Sequence, residues 1–255
     1  MTNFKTRYKN IILNGSKVEI LQKDNLNKFN ESILGLGKID TTSKQISALS
    51  VIFDLEGFTS FCNQIDPQLA VPEYMIKFLT WIFSEIRLEV IDTEYDDNVE
   101  TFYDLPFFSK FLGDGILFLW NTKNMSDISI TNVVVSMYEI TQKYQTEFLP
   151  IISKSIAGPP PKLRCGVARG AVYSIGSDFV GPCINMSARL QKLNNLSLCF
   201  SRKGINPENV NEMYKGFFLI KKVNIRGIGS NELVCVVKSE FDKLDKLERE
   251  KFVKM

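Results

Sequence analysis

Apolar positions along this chain fall into short runs and longer stripes, and the two patterns predict different elements. Residues 48–54, which include Val51-Ile-Phe53, read as a buried strand. Val71, Tyr74, Met75, Phe78, Leu79, Ile82, Phe83 and Ile86 then recur at i, i+3, i+4 spacing. That stripe predicts a long amphipathic helix over about residues 68–90 with one face in a core. Residues 92–100 carry five acidic side chains and read as a solvated loop. Strands at 106–112 and 116–120 are joined by Gly113-Asp-Gly115, and glycine on both sides of an aspartate suits a tight hairpin tip. A second helix is expected over about 128–150, and Gly158-Pro-Pro-Pro161 ends that unit.

Beyond it, 162–169 and 171–175 read as a hairpin around Gly170. A short helix over about 183–193 places Asn185 and Arg189 four residues apart, on one face. Strands near 197–200, 217–223 and 233–237 complete the sheet, and 238–255 reads as a charged amphipathic helix or tail. The order strand, helix, hairpin, helix, strand describes an α+β domain of the ferredoxin-like kind, an antiparallel-rich sheet with helices packed on it. The expected organisation is a lead-in over 1–45, one catalytic domain over 46–238 and a tail over 239–255. Gly35-Leu-Gly-Lys38 in the lead-in lacks the rest of a phosphate-loop pattern and reads as a turn.

Composition narrows the chemistry. The 31 basic and 29 acidic residues nearly cancel, which gives no footprint for nucleic-acid binding. Apolar runs such as 116–120 fall far short of the roughly 20 residues needed to cross a bilayer, and the first ten residues lack the apolar stretch of a signal peptide. The five cysteines are scattered without a CxxC pair, which favours reduced, buried thiols and a cytoplasmic setting. There is no histidine, so a histidine general base, a Ser-His-Asp triad and a histidine-ligated metal are all excluded. Oxygen-ligated metal chemistry remains open.

Two aspartates suit that chemistry: Asp54 in Phe53-Asp-Leu-Glu-Gly-Phe-Thr59, and Asp114 in Lys110-Phe-Leu-Gly-Asp-Gly115. Each follows an apolar run. If the two strands are neighbours, the carboxylates converge at one sheet edge and can hold two divalent cations against a triphosphate. Taken singly, an Asp-Gly is more often a turn or a cap. Lys110 alone is a strand-edge charge, Asp178 a turn residue, and Asn185 with Arg189 a solvated helix face.

Together with Leu163-Arg-Cys-Gly-Val-Ala-Arg-Gly170 and Ser177-Asp-Phe-Val-Gly-Pro-Cys-Ile-Asn-Met-Ser-Ala-Arg-Leu190, these motifs resemble a class III nucleotide cyclase catalytic domain over roughly residues 48–237. The resemblance implies a head-to-tail homodimer with shared sites. It implies two Mg²⁺ or Mn²⁺ ions on Asp54 and Asp114, the Leu55 carbonyl assisting one. Gly57, Phe58 and Thr59 would cradle phosphates. Across the interface Lys110 and Asp178 would read the base edge, Asn185 would orient the ribose, and Arg189 would neutralise charge on the reacting phosphate. One departure stands out: a lysine common near the last hairpin in that family is replaced around Arg226-Gly-Ile-Gly229, where Ile228 occupies one candidate position. Arg226 or Arg202 are the possible substitutes.

The flanks resemble a narrower group. Phe61-Cys-Asn-Gln-Ile-Asp-Pro67, the stretch from Leu105 to Trp120, and Leu198-Cys-Phe-Ser-Arg202 are similar to bacterial pyrimidine cyclases of the Pycsar antiphage systems. This implies conversion of UTP to cyclic UMP and pyrophosphate, with a separate effector responding to the product and no contact with nucleic acid or membrane. The neighbouring expectations are a cytidylate cyclase, then an adenylate or guanylate cyclase, since Lys110 and Asp178 resemble an adenine-reading pair. A degenerate domain that binds nucleotide without turnover is the alternative of a different class.

Overall fold

The computed structural model describes residues 9–20, 27, 30–96, 99–102, 105–193, 195–210 and 212–253. These group into two compact units. The smaller comprises the described residues up to Gln45 together with Val172–Val180. It contains an antiparallel hairpin, β1 (Lys9–Leu13) with β2 (Ser16–Ile20), which the sequence pattern had not suggested. Ser177 N–H donates to the Leu36 carbonyl at 2.8 Å, within a segment where Gly35 and Gly37 turn the chain.

The larger unit is built on one sheet. Its first members are β3 (Gln45–Glu56), β6 (Phe108–Phe111), β7 (Gly115–Asn121) and β8 (Lys162–Ile175), while β4 (Ile91–Asp96) and β5 (Val99–Phe102) form a separate hairpin. Strand β9 (Asp178–Val180) lies in the smaller unit, where it pairs with Tyr173–Ile175, and the sheet of the larger unit goes on with β10 (Leu198–Ser201), β11 (Phe218–Ile225), β12 (Gly229–Val237) and β13 (Phe252–Val253). The order across the sheet is β13-β11-β12-β10-β8-β3-β7-β6. Most pairings are antiparallel, and β10 runs parallel to β8.

Helix α1 (Phe58–Phe61) is a single turn and α2 (Pro67–Val90) is long. Helix α3 (Asp127–Lys143) starts where the Ser126 hydroxyl accepts from Ser129 N–H at 3.0 Å and Asp127 sits against the positive helix end. It runs through a wide turn at Tyr144–Phe148 into α4 (Leu149–Ile152). Side chains alternate along β3, and this divides the molecule. Leu49, Val51, Phe53 and Leu55 join one core with Tyr74, Phe78 and Ile82 of α2 and with Val134, Met137 and Ile140 of α3. Ser50, on the other face, shares a 2.7 Å hydrogen bond with Ser187 of α5 (Pro182–Leu190). Both faces are covered, so β3 reads as a nearly continuous apolar run.

Three expectations need correction. Residues 92–96 and 99–100 are not loop: β4 and β5 pair antiparallel, and the acidic residues had masked a period-two alternation of Ile91, Thr93 and Tyr95 in the sequence. Gly170 is not a turn. Strand β8 runs straight through it, and a Cβ there would lie 3.1 Å from Cys183 Cβ, so its glycine serves close packing by α5. The second helix stands as expected over 127–152, with a wide turn at Tyr144–Phe148 inside it. The last segment is neither one helix nor a free tail: α6 (Lys238–Phe241) and α7 (Lys246–Glu250) lead into β13, which pairs with Lys222 and Val223 of β11. Four cysteines are buried and Cys62 is half-buried, all of them free thiols. Among the described residues no helix is long and apolar enough to cross a membrane.

Candidate active site

The site begins where β3 and β7 end side by side. Asp54 is paired directly with Gly115, and Leu55 N–H donates to the Asp114 carbonyl at 2.9 Å, so both aspartates stand at one end of adjacent strands. The close pairing depends on glycine: a Cβ at Gly115 would fall 2.3 Å from the Phe53 carbonyl oxygen. Asp54 points away from the α2/α3 core, on the face shared with Ser50.

Helix α5 brings the second set of residues to that face. A Cβ at Gly166 of β8 would lie 2.1 Å from the Ser187 carbonyl oxygen and 2.5 Å from Gln191 N. Glycine at that position lets the helix rest on the strand backbone. The i, i+4, i+7 positions Asn185, Arg189 and Lys192 then line a cavity of about 430 Å³ together with Asp54, Asp114 and Ile228. Within a single chain, four of the residues singled out from sequence therefore share one cavity.

The others are placed differently. The Leu55 side chain lies in the core, while its backbone sits between the two aspartates. Gly57, Phe58 and Thr59 form the entry to α1, outside the cavity lining, and the Phe58 ring packs on Phe61 at 6.0 Å between centroids. Lys110 is exposed on β6 opposite Leu117, also outside the lining. Asp178 belongs to the smaller unit, where its Oδ1 accepts from Phe179 N–H at 2.8 Å.

Two functional candidates escaped sequence reasoning. Arg164 donates to Asp54 Oδ2 at 2.9 Å through one terminal nitrogen and to Glu56 Oε1 at 2.9 Å through the other. The pairing joins residues 110 positions apart, and no local pattern signals it. Lys192 was detectable, since it continues the Asn185–Arg189 face by one turn. Ile228, noted as a departure, lies in the cavity wall, so the apolar replacement sits at the site itself.

These donors suit a hard divalent cation. Asp54 is only 7% exposed, so its charge requires a counter-ion, which Arg164 supplies here. Among the described residues no group of three histidine, cysteine or acidic side chains is gathered for a metal. Two carboxylates with a backbone carbonyl are the sparse oxygen set typical of Mg²⁺ or Mn²⁺ held jointly with substrate phosphates.

No family model matches the chain, and no curated protein matches it. Solved structures do. The guanylyl cyclase Cya2 superposes with a TM-score of 0.57 at 15% identity, over 77% of this chain and 94% of that one. The adenylyl cyclase CyaB from P. aeruginosa gives 0.52 at 12%, over 77% and 96%. An adenylate/guanylate cyclase/hydrolase from Silicibacter pomeroyi gives 0.50 at 14%, over 77% and 98%. The fold is the one these class III nucleotide cyclases share.

Proposed function

We propose that this chain is a nucleotide cyclase that converts UTP to 3′,5′-cyclic UMP and pyrophosphate, making a second messenger for antiphage defence. The observation that carries the cyclase reading is the single cavity holding Asp54, Asp114, Asn185 and Arg189 within a cyclase fold. The uracil preference and the defence role rest on the resemblance of the flanking motifs to pyrimidine cyclases.

Two Mg²⁺ or Mn²⁺ ions, held by Asp54, Asp114 and the Leu55 carbonyl, would acidify the ribose 3′-hydroxyl and screen the triphosphate. The chain's own residues do the rest. Asn185 orients the ribose so that its 3′-oxygen lines up with the α-phosphorus. One P–O bond forms to the 3′-oxygen, one breaks to pyrophosphate, and the hydroxyl proton leaves to solvent. Arg189 neutralises charge developing on the α-phosphate oxygens, and Lys192 adds a second cation where the wall carries Ile228. Backbone groups of Gly57, Phe58 and Thr59 face the outgoing phosphates in this reading. Arg164 keeps Asp54 compensated until a cation arrives. No step calls for histidine.

Lys110 and Asp178 stand outside the cavity lining, so base reading is assigned to a second copy docked head to tail, and that pairing leaves two arrangements, with Asn185 and Arg189 completing the cavity of their own chain or that of the partner. Mixing Asp54→Ala chains with Arg189→Ala chains tests this. Shared sites regenerate one intact site per mixed dimer and restore turnover. A mixture as inactive as either variant means that each chain completes its own site.

The substrate is settled by incubating the protein with each of the four NTPs in Mn²⁺ and identifying products by mass spectrometry. Cyclic UMP alone is the expected result, and cyclic CMP would change only the base. Cyclic AMP or GMP would support the second reading, which the guanylyl and adenylyl cyclases among the structural neighbours favour. Tight nucleotide binding without pyrophosphate release would refute the enzyme and leave a binding module.

A further inference from the structure

Arg164 separates two cavities. Its partner Asp54 lines the one described above, while Arg164 itself and Glu56 line a second, of about 350 Å³. The wall of the second cavity carries three cations, Lys162, Arg164 and Lys243, and three carboxylates, Glu56, Glu240 and Glu248. The formal charges cancel, but the hydrogen bonding does not.

Every carboxylate is committed. Glu56 accepts from Arg164 at 2.9 Å, Glu240 from Ser197 N–H at 2.8 Å and also from its hydroxyl, and Glu248 from Asn195 at 2.7 Å. The donors are left over. The buried Nε of Arg164 has no hydrogen-bond partner, and the side-chain ammonium groups of Lys162 and Lys243 have no ion-pair or hydrogen-bond partner among the described residues. A buried guanidinium N–H without an acceptor is costly, and an arginine with such a group, in a wall that also carries two uncommitted ammonium groups, is complementary to an oxyanion.

We propose that this second cavity binds a phosphate group, free or on a small phosphorylated molecule, through Arg164 Nε, Lys162 and Lys243. The bound anion competes with Asp54 for the same guanidinium. Drawing Arg164 toward the second cavity releases the Asp54 carboxylate and raises the affinity of the first cavity for a divalent cation. The anion site stands on the second cavity alone; its consequence for turnover rests on the cyclase reading.

The test needs neither nucleotide nor turnover. Inorganic phosphate is titrated into metal-free, ¹⁵N-labelled protein while the arginine Nε–H resonances are followed, with the Arg164 signal assigned from an Arg164→Lys variant. A saturable shift of that signal is expected. Lys162→Ala and Lys243→Ala, both at exposed positions that keep the fold intact, each weaken binding about threefold, and together about tenfold. Arg189→Ala and Lys192→Ala leave phosphate binding unchanged. The absence of a saturable shift overturns the proposal. So does a shift that ignores both lysine variants but vanishes in Arg189→Ala or Lys192→Ala, because phosphate would then sit in the first cavity. Repeating a Mg²⁺ titration at saturating phosphate tests the coupling: the dissociation constant falls about threefold, and an unchanged value refutes the link to Asp54.

Discussion

Gly115→Ala is the substitution that most directly tests how the two aspartates are brought together. The added methyl would lie 2.3 Å from the Phe53 carbonyl oxygen and 3.3 Å from Asp54 Cα. Ordinary carbon–oxygen contact is a full ångström longer, and the obstacle is backbone in a strand paired across seven registered positions, so no side chain can rotate aside. The strands must part locally, at the pairing that holds Asp114 beside Asp54. Overpacking of this kind costs about 2 kcal/mol, which lowers Tm by about 4–8 °C for a chain of this size. Separating the carboxylates by about an ångström costs turnover about a hundredfold, well beyond what the stability loss explains at 25 °C. Thermal melts by circular dichroism and a pyrophosphate-release assay on the same preparation give both numbers. A Tm within about 1 °C of the parent, with turnover intact, would falsify the claim that glycine is required for close pairing here.

Asp114→Asn and Asp54→Asn are each expected to abolish turnover, but only the second should lower stability. Asp114 is exposed, whereas Asp54 is buried against Arg164, so its loss costs about 1–3 kcal/mol; equal melting temperatures for the two variants would contradict the ion pair. In the core, Tyr144 donates to the Pro161 carbonyl at 2.6 Å, which leaves Tyr74 as the donor in the 2.6 Å contact between the two tyrosine hydroxyls. Tyr144→Phe strands both partners and costs about 2 kcal/mol by urea unfolding, and a loss below about 0.5 kcal/mol argues against the network. A pH effect is expected at Glu139, whose carboxyl is pushed up from 4.5 by burial and by neighbouring Glu89, against the lowering effect of the Tyr214 hydroxyl. The folded chain then holds this proton more tightly than the unfolded chain, so the stability this group contributes is fully present below pH 4.5 and is lost as pH rises through the folded value. Glu139→Gln should gain on the parent in Tm between about pH 4.5 and 7; a constant difference across that range would sink the assignment.

Much of the architecture was legible because periodicity reports burial. The Tyr74, Phe78, Ile82, Ile86 stripe became the buried face of α2, and the 116–120 run became the fully buried centre of β7. The acidic 92–100 segment misled because charge count outweighed alternation, although strand pairing depends on backbone hydrogen bonds that charge does not report. Gly170 misled for a related reason. A glycine beside an approaching helix and a glycine in a turn look alike in sequence, and only the 3.1 Å approach to Cys183 distinguishes them.

By itself the sequence determined which chemistry was open. A chain without histidine, bearing two aspartates in glycine-marked turns and an Asn–Arg pair at helical spacing, limits the site to oxygen-ligated cations and charge neutralisation by arginine. These are properties of residue types and of short-range geometry. Tertiary structure alone decided what meets what. It paired β3 with β7 so that Asp54 and Asp114 adjoin, and it seated α5 on Gly166 so that Arg189 and Lys192 enter their cavity. It also set Arg164 between Asp54 and Glu56, with one N–H left over. Such contacts span many tens of residues and arise from which strands share an edge, and no local pattern encodes that choice.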